Sequence, residues 1–148
     1  MTKILKILLF SFFVFGCSYE PIFSKKKYDF QFTNISYNEE SIINEIVKKS
    51  LIEKSKGNNK YEIFLASEKS KEIVSKNEKG DPTIFNMKIK FNYIVKKDGV
   101  KVLSDTIIKE NTYNNINDKF ELLKYEENIK KTLSENISSE ILISMTSI

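Results

Sequence analysis

The chain of 148 residues carries 24 basic and 20 acidic residues, for a formal net charge of +4, and every basic residue is Lys. The absence of His removes the usual general base near neutral pH and the imidazole metal ligand, and the four Gly form no phosphate-binding loop. We therefore expect no enzymatic activity, no cofactor and no metal site. The small net charge gives no electrostatic reason to expect a nucleic-acid partner.

The N-terminal segment has the pattern of a lipoprotein signal peptide. Lys3 and Lys6 precede an apolar run of about nine residues, well short of the ~20 that span a bilayer as a helix. The run closes on Gly16-Cys17, which holds the only cysteine of the chain. We therefore predict a signal peptide over residues 1–16, lipid attachment at Cys17, and a tether over 17–27. An ordinary signal peptide with a chance cysteine, or a short membrane anchor, remains the alternative.

Residues 28–148 form a single predicted domain. Apolar residues at alternate positions predict a half-buried strand from Tyr28 to Tyr37. Asn38 is the expected N-cap of an amphipathic helix that ends before Gly57. Its expected apolar stripe consists of Ile42, Ile43, Ile46, Val47, Leu51 and Ile52.

The second half of the domain contains the clearest pattern. We predict a strand over residues 61–68 and then a loop or an extended, frayed hairpin over residues 69–81. From Phe85 to Val95 every second residue is apolar, which predicts a strand with one buried face. Asp98-Gly99 suits the positive φ angles of a tight hairpin turn, and a strand from Val100 to about residue 110 follows.

A long helix is predicted from Asp118 to about Met145. Its apolar residues recur mostly at four-residue spacing: Phe120, Leu123, Tyr125, Ile129, Leu133, Ile137, Ile141 and Met145. The fold class is therefore α+β, a two-layer sandwich of two amphipathic helices packed on a roughly four-stranded mixed sheet.

The segment Cys17-Ser18-Tyr19-Glu20-Pro21-Ile22-Phe23 resembles the mature start of the LPS-assembly lipoprotein family (LptE). That start is typically Cys, Gly, aromatic, any residue, Pro, aliphatic, aromatic, and Ser18 here replaces the common Gly. The order of elements over nearly the whole mature chain is also similar to the family. It includes Tyr113 after the last strand and the long C-terminal helix.

The resemblance implies a lipoprotein anchored at the periplasmic face of the outer membrane. Members of that family plug a large outer-membrane β-barrel translocon (LptD), help it to fold, and help to pass lipopolysaccharide to the cell surface. The partners implied are therefore the barrel, lipopolysaccharide and the membrane itself. The basic residues that we expect to meet anionic lipid are Lys88, Lys90, Lys96, Lys97 and Lys101. In a Lys-rich chain they can equally be solvent-facing lysines of an amphipathic strand.

Two other functions remain open. One is an auxiliary lipoprotein of an ABC-type lipid transporter that bridges envelope components, and the other is a surface or adhesion lipoprotein. A lipid carrier needs an apolar cavity, whereas the apolar residues of this chain suffice for one solid core. This comparison favours the translocon plug.

Overall fold

The computed structural model describes residues 28–148, so the signal peptide, Cys17 and the tether lie outside the described residues. The elements in chain order are β1 (Tyr28–Tyr37), α1 (Ile42–Lys54), β2 (Ser55–Lys76), β3 (Pro82–Lys97), β4 (Val100–Asn114) and α2 (Lys119–Ser144), followed by a 3-10 turn over Met145–Ser147. Within residues 28–148, two helices and a four-stranded mixed sheet confirm the predicted α+β class.

The strands follow one another across the sheet in the order β1-β2-β3-β4. β1 and β2 are parallel, and the other two pairs are antiparallel. Parallel neighbours need a crossover connection, which α1 provides between β1 and β2. The turn at Asp98-Gly99 joins β3 to β4 with φ values of 53° and 79°, as the primed hairpin requires.

Both helices cover one face of the sheet, and the core lies between these two layers. The alternating residues of β3 from Phe85 to Val95 all point into this core, as predicted from their spacing. The largest side chains in the core with almost no exposed surface are Tyr93, Phe91, Leu51, Ile63, Leu65, Met87, Ile89, Ile137, Ile141 and Leu142.

The first helix is capped by Ser41, and the prediction that Asn38 caps it was wrong. The Ser41 hydroxyl accepts a hydrogen bond from the Asn44 backbone N–H at 3.1 Å, and this bond satisfies one of the free amides of the first turn. Glu45 supplies the acid in that turn.

The buried apolar face of each helix is narrower than the apolar stripe predicted from its sequence. In α1, Ile42 and Ile52 are exposed, and the sheet contacts the residues between them at four-residue spacing. In α2, four-residue spacing drifts around a helix of 3.6 residues per turn, so its two ends cannot face the same way. Leu122 packs toward the core, and the predicted stripe residues Phe120, Leu123 and Tyr125 are exposed instead.

β2 is much longer than the predicted strand. It begins at Ser55 and continues to Lys76, and a turn over residues 77–81 connects it to β3. Of the two alternatives for residues 69–81, the hairpin is therefore correct. The polar residues are held extended because β3 pairs with them from Lys69 to Lys76. Such pairing overrides weak local strand preference.

Two close approaches fix the packing within each layer, one between strands of the sheet and one between the helices. At Gly57, a Cβ atom would lie 2.1 Å from the carbonyl carbon of Asp29, so only glycine allows β1 and β2 to meet there. Between the helices, the hydroxyl of Ser138 donates to the hydroxyl of Ser50 at 2.8 Å. These small buried side chains let α1 and α2 approach closely.

Candidate functional site

The open face is the side of the sheet that faces away from α1 and α2. On β3 it presents the residues that alternate with the core: Asn86, Lys88, Lys90, Asn92, Ile94 and Lys96. Alternation places side chains of β2 and β4 beside them on the same face. Four of the five lysines predicted from sequence lie on this face: Lys88, Lys90, Lys96 and Lys101.

Lys88 and Lys90, at the middle of the sheet, are flanked by carboxylates. Lys90 is opposite Glu68 on β2, with 3.9 Å between its ammonium and the carboxylate. Lys88 is opposite Glu110 on β4. The middle of the open face is therefore nearly balanced in charge, a feature that the sequence of β3 alone did not reveal.

Lys96 and Lys101 form a second pair at the end of the sheet that carries the turn at Asp98-Gly99. They are directly opposite each other in the β3–β4 ladder, and both are exposed. Like charges placed opposite one another are destabilising. Glu62 of β2, opposite Lys96 on its other side, offsets part of this repulsion. Lys96, Lys101 and Glu62 together therefore carry one net positive charge, which an anion can neutralise.

The two pairs cannot act as one basic patch. Lys90 and Lys96 are separated along β3 by about 20 Å, at roughly 3.4 Å per residue. That distance is about two and a half times the Debye length of roughly 8 Å at physiological ionic strength. A single phosphate group therefore contacts one pair or the other.

Lys97 does not belong to the open face. Its ammonium lies 5.4 Å from the ring centroid of Tyr61, on the helix side of the sheet. The structure therefore separates Lys97 from Lys96, its neighbour in sequence, by the thickness of the sheet.

The structure contains an apolar depression beside Lys96 that was not predicted from the sequence. Phe64 of β2 and Ile94 of β3 are directly opposite on the open face, and Phe64 is 37% exposed. The depression around them is lined by Asn34, Ser36, Glu62, Ile63, Phe64, Ile94 and Lys96. In the sequence, Phe64 and Ile94 each occupy a position where the alternation of the strand predicts a polar residue. An apolar surface beside a cation suits an amphiphile with an anionic group.

A separate polar network lies on the helix side, where α2 meets the other end of the sheet. The Glu126 carboxylate accepts hydrogen bonds from Lys71 at 2.5 Å and from the Tyr113 hydroxyl at 2.8 Å. Burial disfavours the charged carboxylate, but the bonds from Lys71 and Tyr113 outweigh it, so the pKa of Glu126 lies below its ordinary value. Burial, and then the bond to Glu126, raise the pKa of Tyr113 well above its ordinary value. These hydrogen bonds link the N-terminal part of α2 to β2 and β4.

Within residues 28–148, no group of three or more His, Cys, Asp or Glu side chains is placed to hold a metal ion. None of the helices in that range is long and apolar enough to cross a membrane.

The fold belongs to a class found in bacterial lipoproteins. No protein-family model and no curated protein matches the chain. Solved structures of bacterial lipoproteins do match it, at sequence identities that establish the fold alone.

Three of these structures illustrate the likeness. The rare lipoprotein B of Shewanella oneidensis matches with a TM-score of 0.64 and 16% identity, over 79% of this chain and 94% of that chain. Lipoprotein B of Nitrosomonas europaea gives 0.60 and 17%, over 80% and 85% of the two chains. A minor lipoprotein of Acinetobacter baumannii gives 0.55 and 12%, over 81% and 92%.

Proposed function

We propose that this protein is an outer-membrane lipoprotein of the LptE type, the plug subunit of a lipopolysaccharide translocon. The observation that carries the proposal is the fold shared with rare lipoprotein B over 94% of that chain. It is supported by the Cys17 motif, which has the pattern of a lipid attachment site. In this role the protein assists assembly of its large β-barrel partner and the transfer of lipopolysaccharide to the cell surface.

The two-layer domain suits this role physically. The helix side of the sheet is filled by side chains with almost no exposed surface, as in a rigid plug. That packing favours the plug over a lipid carrier of an ABC-type transporter, which needs an apolar cavity. The open face offers Lys96 and Lys101 beside the apolar pair Phe64 and Ile94. Lipopolysaccharide carries phosphate groups and acyl chains, which are complementary to these two kinds of surface.

The main test is depletion of the protein in its own cells. We expect less correctly assembled barrel, measured as the heat-modifiable form on gels, and less lipopolysaccharide at the surface. No enzymatic product should accumulate. Normal barrel assembly together with normal surface lipopolysaccharide would refute the plug and favour the transporter alternative.

The open face can be tested with two adjacent lysines. Lys96→Glu reverses a charge beside Phe64 and Ile94, whereas Lys97→Glu makes the same change on the helix side. We expect Lys96→Glu to weaken binding of purified lipopolysaccharide while Lys97→Glu leaves it nearly unchanged. Equal effects of the two substitutions would contradict a role for the open face.

The anchor is tested at Cys17. Because a thiol is required for acylation, we expect radiolabelled palmitate to mark the wild type and not Cys17→Ala. The variant should accumulate unprocessed or in the wrong compartment. Equal labelling of both forms would exclude Cys17 as the attachment site.

A further inference from the structure

The outer edge of β2 is only partly occupied. Within residues 28–148, β1 pairs with β2 as far as Leu65, and β2 continues from Ala66 to Lys76 with β3 alone as its neighbour. α1 also begins at this point, where the hydroxyls of its N-cap Ser41 and of Ser67 are 3.0 Å apart. From Ala66 onward, β2 therefore presents a row of backbone N–H and C=O groups toward solvent. We call the segment from Ala66 to Ile73, before the irregularity in its pairing, the free edge.

Both edges of the sheet carry charged side chains on the helix side, since Lys69 and Lys71 on β2 are opposite the core residues Ile89 and Met87 of β3. On β4, Asp105 and Lys109 are opposite core residues of β3, and Lys109 forms an ion pair with Glu140 of α2. Charges that point inward along an edge discourage another strand from pairing with it. The free edge ends at Ile73, whose surface is 49% accessible, and Val74, the next residue, is 58% accessible.

The lysines of the free edge hinder the pairing of another strand with β2 less than their number suggests. The Lys71 ammonium folds back over the ring of Phe85, 4.0 Å from its centroid, and bonds to Glu126. It is therefore directed over the sheet and away from the edge. Lys69, the other lysine between Ala66 and Ile73, acts on Glu126 through its charge, which helps to lower the pKa of that carboxylate.

We propose that the free edge of β2 binds an extended segment of a partner protein, which adds to the sheet as a further strand. Unpaired backbone donors and acceptors in an extended row are complementary to another extended backbone. The charges select among such segments. Glu68 and Glu72 lie on the open face, and Lys69 lies on the helix side. The preferred antiparallel segment therefore has basic residues opposite both glutamates and an acidic residue opposite Lys69.

The charge pattern disfavours a second copy of the chain as the occupant. An antiparallel pairing centred on Ser70 places Glu68 against Glu72 and Lys69 against Lys71. A pairing centred on Lys69 or Lys71 places that lysine against its own copy. Like charges directly opposite each other destabilise a sheet. This inference is independent of the proposed function, because it rests on the free edge alone.

A synthetic peptide of sequence VKTTEKT provides the test. In antiparallel register it places Val opposite Ile73, Lys opposite Glu72 and Glu68, and Glu opposite Lys69. The control peptide VETTKET replaces each charged residue by one of the opposite sign and can form the same backbone hydrogen bonds. Hydrogen exchange of the full chain in detergent micelles then reports which amides each peptide protects.

We expect fast exchange of the outward amides between Ala66 and Ile73 in the free chain, and protection of these amides by VKTTEKT. VETTKET should bind about tenfold more weakly, because three favourable pairs become unfavourable. Ile73→Lys should weaken VKTTEKT binding several-fold. Ile52→Lys, which changes an isoleucine of equal 49% exposure on α1, should leave it nearly unchanged.

Four results would overturn the inference. They are slow exchange of the free-edge amides without peptide, no binding of VKTTEKT at millimolar concentration, equal binding of the two peptides, and protection on β4 instead of β2. Self-association that protects the free edge would equally overturn the choice of a partner segment over a second copy.

Discussion

Replacing Phe91 by Ala tests which face of the sheet is the core. Phe91 has 0% of its surface exposed and lies on the helix side of β3, between Ser67 of β2 and Ile107 of β4. Removing a fully buried aromatic ring loses its transfer free energy and leaves a cavity, at a cost of about 3–5 kcal/mol. Phe64→Ala is the matched control, because Phe64 lies on the open face with 37% of its surface exposed. Its ring is already partly solvated and leaves no closed cavity, so about 1 kcal/mol is expected.

The measurement is urea unfolding of a soluble form that begins after Cys17. With a slope of about 2 kcal/mol per molar urea, Phe91→Ala should lower the midpoint by roughly 2 M and Phe64→Ala by about 0.5 M. Unchanged slopes would show that the two substitutions change the stability and not the surface exposed on unfolding. Equal midpoints for the two variants, or a larger loss for Phe64→Ala, would mean that the assignment of the two faces is inverted.

Two further predictions concern the close approach of β1 and β2 and the polar network of α2. Gly57→Ala should destabilise the domain by about 1–3 kcal/mol, since the added Cβ meets backbone atoms that cannot rotate away. Gly80→Ala is the control, because a Cβ at Gly80 meets nothing within 4 Å although φ is 86°. It should cost about 1 kcal/mol in the same urea assay. A larger loss for Gly80→Ala than for Gly57→Ala would refute the clash at Gly57. The pKa of Glu126 is lowered in the folded state, so its contribution is present above the unfolded pKa and is lost as pH falls through the folded pKa. Glu126→Gln should therefore be less stable than wild type at pH 7 and approach it in acid. Glu135→Gln removes an exposed ion pair and should cost about 0.5 kcal/mol or less at pH 7.

Local patterns were sufficient for most of the elements. Strict alternation from Phe85 to Val95 predicted both the strand and its buried face, because side chains of a strand point to opposite sides in turn. Asp98-Gly99 predicted the turn, since few other pairs accept two positive φ values. These signals are properties of a short stretch of chain, and the structure confirms them.

Other features depend on residues that are distant in sequence. Lys69–Lys76 has no strand pattern of its own and is extended because β3 pairs with it. The exposed stripe residues of α2 were misplaced because helix periodicity does not say where the sheet beneath the helix begins. The role of the lysines of β3 was equally undetermined, since the carboxylates opposite Lys88 and Lys90 come from other strands.

The sequence by itself therefore determined the kinds of elements, their order, and the buried side of β3. Tertiary structure alone decided that β1 lies beside β2, that Gly57 meets Asp29, and that part of the β2 edge is left open. The physical reason is the range of the interactions. Periodicity and turn geometry act within a few residues, whereas pairing register and close packing depend on which distant segments meet.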